Sequence, residues 1–185
     1  MIEMTIESMG INPEIYRGVV LLKEQTGKRY LPILIGSAEA NAIAVKLRGA
    51  DMPRPLSHDL LCSVIGSLRA SVDSVVINEL RGDTFHARIL LNTSEGQTEV
   101  DSRPSDALAL AVRAEVPIFV EDTVLDEGGV LIDKETGQVV PQQTSEEKSV
   151  TEDELRRLSA FTDFINTLDM NKLGEGKKGN EDSDQ

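Results

Sequence analysis

The chain has 185 residues, enough for one hydrophobic core with a small appendage, and its 39 % apolar and 28 % charged content is that of an ordinary globular protein. The formal net charge of −13 argues against a broad nucleic-acid-coating face: residues 1–140 hold 13 basic against 21 acidic side chains, and residues 141–185 hold 6 against 11. No apolar run reaches the ~20 residues that span a bilayer, the opening segment Met1 to Ser8 lacks the basic start of a signal peptide, and one cysteine cannot close an internal disulfide.

Residues 2–11 alternate apolar and polar and predict a half-buried strand. Gly18 to Lys23 and Tyr30 to Ile35 predict a hairpin around Gln25-Thr26-Gly27-Lys28, with Pro32 placing its strand at an edge or making it locally irregular. A helix then opens at Gly36-Ser37, carries the stripe Ala40, Ile43, Ala44, Leu47, and stops at Gly49. A second helix begins at Ser57, with Leu61, Val64, Ile65 and Leu68 as its apolar stripe and Cys62 as a small core residue. A reduced cysteine and no export signal make the cytoplasm the expected location.

Three strands in meander order follow, Val72 to Glu79, Thr84 to Leu91 and Gln97 to Asp101, with turns at Arg81-Gly82-Asp83 and Ser94-Glu95-Gly96. The helix from Ser105 is apolar on almost every side and should be central and buried, ahead of a short strand at Pro117 to Val120. A weak hairpin is expected across Val130 to Val140. The domain plan is a globular unit over 1–140, a linker over 141–150, an amphipathic helix over 151–170 opened by Thr151 and Glu154, and a disordered acidic tail over 171–185. The fold class is α+β: a mainly antiparallel sheet of hairpins with three core helices, plus that C-terminal helix.

Two helix starts share a pattern, Arg54-Pro55-Leu56-Ser57-His58-Asp59 and Arg103-Pro104-Ser105-Asp106. Each sets a guanidinium, a proline, a serine read as the cap and a carboxylate at an opening turn, where unpaired N–H groups and the positive end of the helix dipole already favour an anion. His58 adds the side chain best suited to moving a proton near neutral pH. One cysteine and two histidines build no zinc site, and no phosphate-binding loop or serine-hydrolase motif is present.

Leu31-Pro32-Ile33-Leu34-Ile35-Gly36, Glu39-Ala40, Arg54-Pro55 with His58-Asp59-Leu60, Thr84-Phe85-His86-Ala87-Arg88, Asp101-Ser102-Arg103-Pro104-Ser105-Asp106-Ala107 and Pro117-Ile118-Phe119-Val120 together resemble the bifunctional nuclease domain, from about Tyr30 to Val120. The resemblance implies a compact α+β domain, often homo-oligomeric, that hydrolyses phosphodiester bonds in DNA and RNA. On that reading His58, Asp59 and Asp106 are the catalytic candidates. Arg54, Arg103 and Ser105 are candidates for holding substrate phosphate. Glu39 and Asp101 are candidate ligands for a divalent cation, Mg²⁺ or Mn²⁺, which suits hard oxygen donors.

Structural roles compete for the same residues. Glu39, Asp59 and Asp106 also fit as first-turn acids that stabilise a helix, and Arg54 and Arg103 as their ion-pair partners. His86 and Arg88 alternate with Phe85, Ala87 and Ile89, which predicts a solvated sheet face. The rival to a nuclease is a non-catalytic oligomeric module that binds a small phosphorylated or anionic ligand or a protein partner.

Overall fold

In the computed structural model, residues 1–12, 17–132 and 139–141 are described. Among them, nine strands form a single sheet: β1 (Ile2–Asn12), β2 (Arg17–Glu24), β3 (Arg29–Gly36), β4 (Ser71–Arg81), β5 (Thr84–Thr93), β6 (Gly96–Ser102), β7 (Ile118–Val120), β8 (Val130–Ile132) and β9 (Val139–Pro141). Their order is β6-β5-β4-β7-β1-β2-β3-β8-β9. All neighbours are antiparallel except β4 and β7, which run parallel. The helices are α1 (Ser37–Leu47), α2 (Ser57–Ser67), α3 (Pro104–Ala114) and α4 (Asp122–Gly128). This is the expected α+β fold, with α4 in addition. The linker, the helix over 151–170 and the tail lie outside the described residues. Among those described, no helix is long and apolar enough to cross a membrane.

The turns fall where glycine and polar residues put them. Gly82, at φ 58°, closes the β4–β5 turn in the left-handed region that favours glycine. Pro32 pairs with Leu21 on the β2 side, while β8 meets β3 only at Arg29 and Tyr30. β3 is thus not an edge strand, but the proline sits where its outer side has no strand partner among the described residues.

The core lies between the sheet and three helices, α1, α3 and α4. Leu22, Leu31, Ile33 and Ile77 from the strands meet Ile43 of α1, Leu108 and Leu110 of α3 and Leu125 of α4, all fully buried or nearly so. Every residue from Ala107 to Ala111 is buried, so α3 is the central helix. Its three alanines allow neighbours to approach on all sides. Gly18 does the same for α1: a Cβ added there would stand 2.6 Å from the Cβ of Ala40.

The second helix departs from expectation. It buries none of its residues fully, and its expected core stripe contributes only Ile65, with Cys62 beside it, to partial packing against the core. Leu60, Leu61, Val64 and Leu68 are exposed. The leucine and valine stripe faces out while Ile65 and Cys62 face in, so periodicity alone could not say which side packs.

Candidate functional site

Three helix starts meet at one end of the core, and each carries an acid at its third position: Glu39 in α1, Asp59 in α2 and Asp106 in α3. The caps are not the serines. Proline at the first position of α3 makes Arg103 its N-cap. In α2 the N-cap is Leu56, whose N–H donates to Asp59 Oδ2 at 2.7 Å. Ser57 and Ser105 each sit inside the first turn, and Ser105 is buried.

Two networks arise from these starts. In the first, His58 Nε2 lies 3.2 Å from Asp106 Oδ1. Arg103 grips the same carboxylate with two bonds, Nε to Oδ2 at 2.7 Å and Nη2 to Oδ1 at 3.1 Å. Its Nη1 reaches Glu39 at 3.1 Å, yet the Arg103 side chain stays 66 % exposed. Burial pushes the Asp106 carboxyl upward, but the hydrogen bonds from Arg103 and His58 outweigh it and hold the group below the usual carboxylate range. Asp106 also raises the Arg103 guanidinium. With its Nε2–H given to Asp106, a neutral His58 keeps Nδ1 as its proton acceptor.

The second network centres on Arg113, which the sequence reading missed. Its side chain is 4 % exposed. Nε donates to Asp59 at 2.6 Å, Nη1 to the Ala109 carbonyl at 2.8 Å and Nη2 to the Ala42 carbonyl at 3.1 Å, so one guanidinium ties α1, α2 and α3 together. Burial pushes Asp59 up, but the Leu56 N–H and Arg113 bring it below its ordinary value. Asp59 is thus a helix-capping and helix-joining residue. The one sequence signal for Arg113 was a cation in the last turn of α3, which reads as dipole compensation.

The two arginines of the repeated pattern do not share a cleft. Arg54 lines a separate cleft of about 300 Å³ between the end of α1 and the loop before α2, with Lys46, Asp51, Asp59 and Arg113. Arg103 is not part of that lining. Asp101 is exposed on β6, opposite Arg88, and among the described residues no hydrogen bond or ion pair joins it to Glu39 or the His58–Asp106 pair. Arg88 pairs with Glu99 at 2.9 Å, as a solvated face requires. Among the described residues no three His, Cys, Asp or Glu side chains are grouped to hold a metal ion. Arg103 itself spans the two carboxylates, Glu39 and Asp106, that a cation would need.

An α+β domain whose helix starts present a histidine–carboxylate pair under an exposed arginine defines the class of molecule. The family model of the bifunctional nuclease domain matches residues 20–133, and the chain belongs to that family. Two relatives from Mycobacterium tuberculosis, strains CDC 1551 / Oshkosh and H37Rv, each carrying the description "uncharacterized protein", are 40 % identical over 154 residues, 82 % of this chain and 87 % of theirs. Bifunctional nuclease 2 of Oryza sativa subsp. japonica is 28 % identical over 115 residues, 60 % of this chain and 35 % of that protein. Bifunctional nuclease 1 of Oryza sativa subsp. indica is 26 % identical over 120 residues, 63 % of this chain and 36 % of that protein.

Proposed function

We propose that this protein hydrolyses phosphodiester bonds in DNA or RNA, inside the cell and as a homo-oligomer, with His58 as the proton-transferring group. The observation that carries the reading is the His58–Asp106–Arg103 constellation across two helix starts. Asp106 orients the imidazole, Nδ1 takes the proton of the water that attacks phosphorus, the P–O bond to the leaving oxygen breaks and that oxygen takes a proton from solvent, and the solvent-facing side of Arg103 holds a phosphoryl oxygen. The first-turn N–H groups of α2 and α3 add partial positive charge. Arg54, in its own cleft, takes a neighbouring phosphate of the strand. The described residues do not offer a cation three grouped ligands, so no step is routed through Mg²⁺ or Mn²⁺.

The test is single-turnover cleavage of end-labelled single-stranded DNA and RNA, with added Mg²⁺ or Mn²⁺ and with chelator. Removing a general base costs ~10²–10⁴-fold, so His58→Ala should lose at least a hundredfold while its circular dichroism spectrum shows it folded under the assay conditions. A wild-type protein that cuts neither substrate, or a variant that cuts at the wild-type rate, refutes the reading. One observation favours the rival, a non-catalytic module: the charges of Glu39, Asp106 and Arg103 are already satisfied by one another. Phosphate binding without cleavage would select it.

A further inference from the structure

Arg103 has one fork left for a ligand. Asp106 takes the edge of the guanidinium made by Nε and Nη2, at 2.7 and 3.1 Å. The outer edge, Nη1 beside Nη2, is the one that can still present two donors to two oxygens on the same phosphorus. Glu39 already stands there, with its Oε1 3.1 Å from Nη1. The two carboxylates are not held alike. Asp106 receives two hydrogen bonds from Arg103 and lies 3.2 Å from His58 Nε2, whereas the contact with Glu39 is an ion pair at Nη1. Glu39 also has a second resting place. It is the third residue of α1, and a Cβ added at Gly36, the N-cap of that helix, would overlap its Oε2. That oxygen therefore rests against the positive end of α1, where a carboxylate stays favourable without Arg103.

We propose that Glu39 is a built-in competitor for Arg103: a phosphate displaces its carboxylate from the outer fork, and the carboxylate returns as the phosphate leaves. The inference deepens the proposed phosphodiester chemistry and rests on Arg103 as its phosphate holder. A carboxylate tethered beside the guanidinium acts at high effective concentration, so each incoming anion binds against it. The pair lies near solvent, with Arg103 66 % exposed and Glu39 21 %, so the competition weakens phosphate by roughly fivefold and does not forbid it. The bonds from Nε and Nη2 to Asp106 keep Arg103 aimed while Nη1 changes partners, and no helix has to move. Such a site releases the phosphate end that cleavage creates, because Glu39 is at hand to take its place. The satisfied charges of the cluster then have unequal meanings: the Asp106 pair is fixed and the Glu39 pair is exchangeable.

Inorganic phosphate titrated into the isotope-labelled full chain tests the exchange, read by magnetic resonance at the Nε–H of Arg103. Glu39→Gln removes the charge but keeps a side chain suited to the third helix position. It should bind phosphate roughly fivefold more tightly than the wild type. Glu95→Gln, in the turn at the far end of β6, makes the same change of net charge and should leave the affinity as it was. Equal or weaker binding by Glu39→Gln overturns the inference and leaves Glu39 as a residue that only positions Arg103. Equal tightening by both variants overturns it too, because bulk charge then explains the gain. In the wild type itself, the Glu39 carboxyl carbon should shift along the same titration as Arg103. A Glu39 signal that stays still refutes displacement even if Glu39→Gln fails to fold. No response at Arg103 in either wild type or Glu39→Gln overturns the inference and the phosphate-holding role of Arg103 together. The expected binding pattern in a protein that cuts neither DNA nor RNA sustains Glu39 as the competitor while the nuclease reading falls.

Discussion

Replacing Arg113 by methionine tests what holds the three helix starts together. The substitution fills similar volume but removes three hydrogen bonds, to Asp59, Ala109 and Ala42. Breaking a buried ion pair costs ~3–5 kcal/mol. Asp59 lies at the boundary, 37 % exposed, and keeps the Leu56 N–H, so water meets part of its need and the lower end applies, about 3 kcal/mol. With a urea slope of about 2 kcal/mol/M, the midpoint should fall by about 1.5 M. Arg103→Ala is the internal control. It deletes as many hydrogen bonds and ion pairs, but from a side chain 66 % exposed, where such pairs contribute ~0.2–1 kcal/mol each in water. Urea unfolding followed by circular dichroism measures both. Equal midpoints for the two variants would refute the argument that burial, and not the number of bonds, sets the contribution.

Stability should depend on acid through the same carboxylates. Asp59 and Asp106 are held below their ordinary values, so they stabilise the fold above the unfolded-state value of about 4 and lose that contribution as pH falls through their folded values. Urea midpoints should be level from pH 7 to about 5 and drop below about 4, with a shallower drop in Asp59→Asn. A midpoint unchanged down to pH 3 would contradict the assignment. Gly18→Ala should destabilise by ~1–3 kcal/mol through overpacking against Ala40; thermal melts at or above the wild-type temperature would show that α1 can retreat at no cost.

The hairpins, α1 and α3 were legible in the sequence because period and turn chemistry agreed within short windows. Burial of Ala107 to Ala111 follows from a helix with no polar side there. The second helix was legible in extent but not in orientation, since its leucine and valine stripe faces out and only Ile65 and Cys62 pack inward. The helix α4 is seven residues long and acid-rich, below the length at which periodicity speaks. The parallel contact of β7 with β4 joins residues some forty apart, from Val75–Ile77 to Ile118–Val120, and no local pattern reports it. At the site, the twin Arg-Pro openings brought His58, Asp106 and Arg103 into view. They did not reveal that Arg54 lines a cleft of its own, because similar letters at two helix starts say nothing of the distance between them. Pro104 was the available sign that the cap of α3 lay two residues before Ser105, at Arg103.

The three-residue strand β7 has a consequence for synthesis. It is the sole link, among the described residues, between β1–β3 on one side of the sheet and β4–β6 on the other. Both groups leave the ribosome before it does. At ~5–20 residues per second, the finished first hairpins wait on the order of ten seconds for Ile118 to emerge. During that interval β1 and β4 each present an open edge, and α3, which packs on β4, has only just appeared. The growing chain is therefore most exposed to mispairing with its neighbours on the same messenger just before its shortest central strand arrives.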